Sequence, residues 1–298
     1  MNNYNYLLII ILVIILACNS RRIYEIINRG YKYLNKKEYK LIKKGKYNYD
    51  EEKLRNDSIK EKSIYDIPNN IFQIYINQTE IPYEIEDNIN FIKNINPDWK
   101  YYLITDKNIN IWLNKINDQK FIKIYNDISN SYPAAKSDLL RYLLMKYYGG
   151  VYLDIKSTCT SPLNDIVEPK IMLFKWCVIY TGLIDLCAGP RRGRKYLNEL
   201  VQWVLVYPKG HFFIDAVLNN IEKKYTEYKE NNNIKQDIFA FTGPDIYTDS
   251  IMPLINDKNS IVYPSFIDKN FVYSILKYNH KCYSKSKHYS IINDKIIN

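Results

Sequence analysis

Two carboxylates and two cations stand close together in the middle of this chain. Asp138 and Arg141 lie three residues apart in a stretch of helical periodicity, and Asp154 and Lys156 close the apolar run that follows Gly149-Gly150. At a spacing of three, Asp138 and Arg141 are neighbours on one helix surface. Read alone, they form a surface ion pair worth about a few tenths of a kcal/mol. Asp154 is different, because it ends a short apolar strand. A second acid two residues further on would let such a strand end hold a metal ion. That position is Lys156, so the stretch is either a metal site with one ligand exchanged or a strand end that never held a metal.

The elements that must position these residues can be read on either side. Ile71–Ile76 is a buried-strand candidate, and the periodicity predicts a helix near Ile85–Ile95. The turn Asn96-Pro97-Asp98 leads into a second strand, Lys100–Ile104. Thr105-Asp106 then opens a helix containing Trp112 and Leu113. Pro133 suits the first turn of a helix running to about Tyr148, which Gly149 stops as a left-handed residue. In it, Leu139, Leu143 and Tyr147, and Leu140, Leu144 and Tyr148, make a broad apolar face for a sheet, with Asp138 and Arg141 on the other side. Val151–Asp154 and Ile171–Trp176 are further strands. Alternating strands and helices imply an α/β fold with a mainly parallel sheet between helices. Ligands bind beyond the carboxyl ends of such strands, where Gln73–Asn77, Thr105-Asp106 and Asp154–Lys156 fall. Asp154 is thus placed either as a ligand group or as a cap of a helix or turn, and local evidence leaves both open.

Composition narrows the class. The chain has 298 residues, 47% hydrophobic and 25% charged, which suits one large or two small folded domains. A net charge of +10 fits an anionic partner such as a nucleotide phosphate or lipid headgroup. No basic run interleaved with aromatics forms a nucleic-acid motif, so no nucleic-acid partner is expected. Thirty Tyr against nine Gly, with abundant Asn and Lys, suggests an AT-rich coding sequence. The five cysteines (Cys18, Cys159, Cys177, Cys187, Cys282) are widely spaced without a C-x-x-C pair, so they read as buried thiols rather than a zinc or disulfide framework. The two Asn-x-Ser/Thr patterns, Asn56-Asp57-Ser58 and Asn77-Gln78-Thr79, are what an Asn-rich chain gives by chance.

The amino-terminal region reads separately. Residues 1–20 contain the uncharged apolar run Tyr6–Cys18, expected to be an apolar helix serving as a membrane anchor or signal segment. It is shorter than the roughly 20 residues a spanning helix needs. Arg21, Arg22, Arg29, Lys32, Lys36 and Lys37 follow it, which by the positive-inside rule favours a cytoplasmic bulk. Residues 21–66 have the composition of a charged helical stem. A membrane-associated protein with a single N-terminal segment, residues 6–18, is the expectation.

The stretch "AAKSDLLRYLLMKYYGGVYLDIKS" resembles the signature of family-32 glycosyltransferases, of the initiating mannosyltransferase and capsular polysaccharide type, whose sugar-binding region carries an Asp-x-Asp motif. Ala135, Ser137, Asp138, Arg141, Tyr142, Gly149, Gly150, Tyr152 and Asp154 fall in register with it. "IPNNIFQIYIN" resembles the family's opening strand, with Phe72 in place of a His, and "NPDWKYYLITD" its second. Thr242-Gly243-Pro244 matches a family loop, and "KHYS" near the end its His-containing tail. The resemblance extends over roughly residues 67–290. It implies a GT-A type nucleotide-diphospho-sugar transferase fold over residues 67–298. It further implies retaining transfer from a UDP- or GDP-sugar to a glycan, protein or lipid acceptor. By position, Asp138 and Arg141 would meet the donor sugar, and Asp154 the ribose, sugar and metal sphere. Gln73, Asp106 and Tyr152 would complete the donor side. Mn²⁺ or Mg²⁺ would act as a Lewis acid on the leaving diphosphate.

The departure from the family pattern is Lys156, where the metal-binding carboxylate usually stands. Three readings stay open. The metal binds through Asp154, the diphosphate and a C-terminal group such as His288. Alternatively, the Lys156 ammonium itself faces the diphosphate. Or the site is a degenerate sugar-nucleotide binder or scaffold on the same fold. Asp185, Asp245 and the cluster Arg191-Arg192-Arg194 are further candidates for acceptor or phosphate contacts, with a solvated surface as the plainer reading of the arginines.

Overall fold

The structure, a computed structural model, describes residues 66–78, 80–175, 179–180, 185–186, 199–231, 234–255, 260–263, 270–276, 292 and 294–297. The apolar run at 6–18, the stem at 21–65, Arg191, Arg192, Arg194 and the tail with His288 lie outside these residues. Among the described residues, no helix is long and apolar enough to cross a membrane.

The first described elements form as their pattern requires. Strand β1 (Asn70–Tyr75) leads through helix α1 (Tyr83–Ile95) to β2 (Lys100–Thr105), which pairs with it in parallel over its whole length. Helices α2 (Ile109–Ile116) and α3 (Gln119–Asp127) follow. Helix α2 begins later than expected from Thr105-Asp106. The Asn108 side chain accepts from the Thr105 backbone N–H at 2.8 Å, closing a turn that delays the helix to Ile109.

Helix α4 (Pro133–Tyr147) carries Pro at its start and stops where the chain turns left-handed at Gly149, φ 66°. Gly150 follows at φ 112° and opens strand β3 (Gly150–Leu153). A Cβ on Gly149 would lie 2.5 Å from the Lys209 backbone nitrogen, and one on Gly150 2.4 Å from the Asn70 carbonyl oxygen. Both glycines are needed for the direct passage from helix into sheet.

The central sheet also contains β5 (Ile171–Phe174), β8 (Val204–Tyr207) and β9 (Ser260–Tyr263), in the order β2-β1-β3-β8-β5-β9. Strand β8 runs against both its neighbours, and the other five strands share one direction. The sheet is therefore mixed and mostly parallel. Strand β5 ends at Phe174, short of the expected Trp176, and Lys175 makes an isolated bridge to Leu200. Two smaller pairs are β4 (Thr158–Cys159) with β10 (Phe271–Val272), and β6 (Ile179–Tyr180) with β7 (Asp185–Leu186). Helices α5 (Leu163–Ile166), α6 (Phe212–Glu230), α7 (Ile238–Phe241) and α8 (Pro244–Ile251), with a 3-10 turn at Met252–Leu254, complete the described elements.

Side chains alternate across the sheet, as the two-residue period demands. Phe72, Ile74, Tyr152, Leu205 and Tyr207 pack into the larger core with α2, α3, α4 and α6. Ile71, Val151, Leu153, Val204 and Val206 pack into a second core with Ile92, Trp99, Leu163 and Phe271. Both faces are covered, as in other sandwiched sheets. Cys159 is buried in the second core as a free thiol, and burial pushes its pKa up to about 12.

Candidate active site

The carboxyl ends of β1 and β3 converge with the start of antiparallel β8. Asp154 follows Leu153 immediately, and its backbone N–H donates to the Trp203 carbonyl at 2.8 Å, extending the β3–β8 ladder by one residue. Its carbonyl accepts from the Ser157 N–H at 2.7 Å, so residues 154–157 make a tight turn. Gln73, fully buried on β1, braces that turn from below. Its Nε2 donates to the Asp154 carbonyl at 3.0 Å, while its Oε1 accepts from Tyr101 at 2.6 Å. Gln73 thus meets the Asp154 segment through its backbone.

The Asp154 carboxylate is gripped from three sides. Oδ1 accepts from the Tyr152 hydroxyl at 3.0 Å and from Arg141 Nη1 at 3.2 Å, and Oδ2 lies 3.7 Å from Lys156 Nζ. The carboxylate is thus held by two cations and a phenol. The Arg141 guanidinium also lies over the Tyr152 ring, 4.7 Å from its centroid. Tyr152 itself is buried, which raises its pKa well above the ordinary value.

Asp138 and Arg141 are not the surface pair that helix periodicity suggests. Both are 6% exposed, because α4 is covered by the sheet on one side and α6 on another. Arg141 Nη2 meets Asp138 Oδ1 at 2.8 Å, and Nη1 donates to the Gln202 carbonyl at 2.8 Å. Gln202 Nε2 in turn donates to Asp138 Oδ1, and the Thr242 hydroxyl to Oδ2, each at 3.4 Å. The Tyr142 hydroxyl lies against both Gln202 Oε1 and the Thr242 carbonyl. Buried charges of this kind require such partners.

The electrostatics follow from that burial. Desolvation pushes the Asp138 carboxyl up, to about 7; Arg141 pulls against the shift and Asp154 adds to it. Burial opposes the charge on Arg141, yet Tyr152, Asp138 and Asp154 hold its pKa above the usual arginine value. Arg141 is therefore a fixed cation between two carboxylates.

Lys156 stands at the rim. Its Nζ lies 4.4 Å from the centroid of the Tyr273 ring, and its backbone carbonyl accepts from the Ile275 N–H at 2.9 Å. The Ser157 hydroxyl donates to the Tyr273 carbonyl at 2.8 Å, so the segment after β10 is tied to the 154–157 turn. Tyr273 also packs on Trp203, ring centroids 5.3 Å apart. Asp106 lies elsewhere on the same sheet edge, where its Oδ2 accepts from the Asn77 N–H at 2.7 Å and links the ends of β1 and β2. Asp245 is buried in the first turn of α8, and the side chain of Asp185 lies outside the description.

The structure thus gathers Asp138, Arg141, Tyr152, Asp154 and Lys156, with Gln73 beneath, and adds Gln202, Trp203 and Tyr273. Thr242, noticed in sequence as part of a loop motif, proves to hold Asp138. Gln202, Trp203 and Tyr273 carry no local signal, because what recruits them is the pairing of β8 with β3 and of β10 with β4.

These residues do not fit a divalent cation. Among the described residues, no three His, Cys, Asp or Glu side chains converge on a common point. Asp154 is already paired with Arg141, and the Lys156 ammonium stands 3.7 Å from its Oδ2. A dication placed about 4 Å from the Lys156 ammonium would be repelled by about 8 kcal/mol at an effective dielectric near 20. Hard cations need several oxygen ligands to offset such terms.

The chain resembles several known proteins. The chain is 25% identical over 186 residues to the initiation-specific alpha-1,6-mannosyltransferase of Candida albicans, covering 54% of this chain and 46% of that one. It is 30% identical over 105 residues to inositol phosphoceramide mannosyltransferase 1 of Schizosaccharomyces pombe, covering 34% of this chain and 32% of that one. The chain therefore spans less than half the length of these two relatives. Among solved structures, the PaToxG glycosyltransferase superposes with a TM-score of 0.47 at 16% identity, over 81% of this chain and 80% of that one. Residues 82–171, which hold α1 through α5 and all four charged side chains, match the family described as "Glycosyltransferase sugar-binding region containing DXD motif".

Proposed function

We propose that the chain is a glycosyltransferase of GT-A type, moving a sugar from a nucleotide diphosphate donor to a hydroxyl of a glycan, protein or lipid acceptor. The observation that carries this reading is the buried Asp138–Arg141 pair joined to Asp154 at the end of β3, inside the matched sugar-binding region. A hexose donor is favoured, since the relatives in Candida albicans and Schizosaccharomyces pombe are named as mannosyltransferases.

The chemistry suits the site. The donor's C1–O bond to the diphosphate breaks with its electron pair going to the diphosphate oxygen. A bond from the acceptor oxygen to C1 forms on the same face, and the acceptor's proton passes to the leaving diphosphate, which gives retention. Charge grows on the diphosphate as the bond breaks, so positive groups fixed in advance accelerate the step most. Asp138 and Asp154 are suited to accept hydroxyl hydrogens of the sugar and ribose. Arg141 holds both carboxylates at fixed separation, and Tyr152 fixes the orientation of Asp154. Gln73 sets the height of the 154–157 turn, while Asp106 joins the neighbouring strand ends on the nucleotide side. Where the family would use Mn²⁺ or Mg²⁺, with His288 as a C-terminal ligand, that ion would act as a Lewis acid on the diphosphate. The described residues give it no ligand set.

Membrane association through residues 6–18, with one N-terminal segment and a single catalytic domain from about residue 67, is part of the same proposal. It rests on the apolar run and the cations that follow it. The test is to incubate the full-length chain with a panel of UDP- and GDP-sugars and to measure sugar transfer and donor hydrolysis. Asp154→Asn should abolish turnover while leaving the melting temperature nearly unchanged, since Arg141 keeps Asp138 and Gln202. Failure of every donor to bind or react sinks the transferase reading. A large fall in melting temperature assigns Asp154 a structural role instead.

A further inference from the structure

The proposed reaction needs positive charge at the diphosphate, and the described carboxylates do not gather a divalent ion to supply it. We propose that the Lys156 ammonium receives the donor diphosphate directly, so that the chain binds a nucleoside diphosphate without a divalent cation. This rests on the transferase reading and names the group in that site that meets the phosphates.

Three features point to Lys156. First, it is placed with little freedom. Its backbone is held by Ile275, and its ammonium sits 4.4 Å over the Tyr273 ring. A cation over an aromatic face is favourably placed, and an oriented cation is worth more to a developing charge than a mobile one. Secondly, it is the shallower of the two cations beside Asp154. Its side chain is 15% exposed, whereas that of Arg141 is 7% exposed. Arg141 is occupied by Asp138, Asp154 and the Gln202 carbonyl, and so forms the floor rather than the mouth.

Thirdly, the Lys156–Asp154 contact is loose. At 3.7 Å it is longer than the roughly 2.7–2.9 Å of a charge-assisted hydrogen bond. Asp154 lowers the cost of holding the ammonium at the rim. A phosphate oxygen approaching the same edge completes the pairing. A divalent ion at Asp154 Oδ2 would have to expel this ammonium first.

The experiment uses the full-length chain with UDP and GDP as probes, titrated calorimetrically in metal-stripped buffer with EDTA and again with Mn²⁺. Wild type should bind one of them in EDTA, with little tightening by Mn²⁺. Lys156→Met, which keeps the stem over Tyr273 but removes the charge, should weaken that binding about tenfold or more. Lys156→Arg should retain it in EDTA, separating loss of charge from loss of fold. Lys156→Asp should lose binding in EDTA and regain it with Mn²⁺, with the free Mn²⁺ paramagnetic resonance signal diminishing only in this variant. Wild-type binding that requires Mn²⁺, or Lys156→Met binding as tightly as wild type, overturns the proposal while leaving glycosyl transfer intact. Failure of both nucleotides to bind wild type in either buffer removes the transferase reading and this proposal with it.

Discussion

Helices α3 and α4 each carry an oppositely charged pair at helical spacing, and the two pairs have little else in common. Lys123 and Asp127 on α3 meet at 2.9 Å, with side chains 64% and 24% exposed. Asp138 and Arg141 on α4 meet at 2.8 Å, with side chains 9% and 7% exposed. The separations are nearly equal, so distance does not distinguish the pairs. The first belongs to a lattice of exposed groups, in which Asp127 also meets Tyr225 and Lys229. The second is enclosed by a sheet and two loops, and each of its charges is matched by a partner distant in sequence. Water sets the worth of an ion pair: where it is present the pair is dispensable, and where it is excluded each charge depends on the other.

Arg141→Met is the strongest way to break the buried pair. It leaves two neighbouring carboxylates without their shared cation and should cost about 3–5 kcal/mol of stability, read by denaturant unfolding, with loss of turnover. Gln202→Ala removes a side chain that serves both Asp138 and Tyr142. Leaving those groups short of a partner should cost about 1–3 kcal/mol by the same measurement.

The pH response of Asp138 sharpens the contrast. Its folded pKa lies above the ordinary carboxyl value of 3.8, at about 7. The folded state therefore holds the proton more tightly than the unfolded state. The resulting stabilisation is fully present below about pH 4 and is lost as pH rises through about 7. Melting temperatures of wild type and Asp138→Asn, followed from pH 4 to 8, should diverge across that window, with wild type falling more steeply. Parallel curves would show that Arg141 keeps Asp138 ionised throughout. The exposed pair gives the smallest effect: Lys123→Met should leave the melting temperature unchanged within error at moderate salt.

The local elements around the site were legible in sequence because each is specified by neighbours along the chain. Strands β1 and β2 follow from short apolar runs, α4 from Pro133 and its leucines, and the β3 turn from Gly149-Gly150. The Asp154 position follows from that last unit. The burial of Asp138 and Arg141 was not legible. Periodicity placed them opposite the leucine face, which would be solvent if α4 lay on a single surface. Leu139 through Met145 are all buried instead, because the helix runs between layers. The antiparallel insertion of β8 was equally hidden, since Val204–Tyr207 reads like any apolar run and its direction depends on the connection. Gln202 and Trp203 reach the site only through that reversal.

The sequence by itself determined the four charged residues, the helix and strand that carry them, and the glycines that join those elements. These rest on interactions within a few residues. Tertiary structure alone decided which charges lose their water, that Arg141 lies between two carboxylates, and that Lys156 rests on Tyr273 at the rim. Contacts between segments sixty to more than a hundred residues apart arise from covering both faces of a sheet, and no local pattern records them.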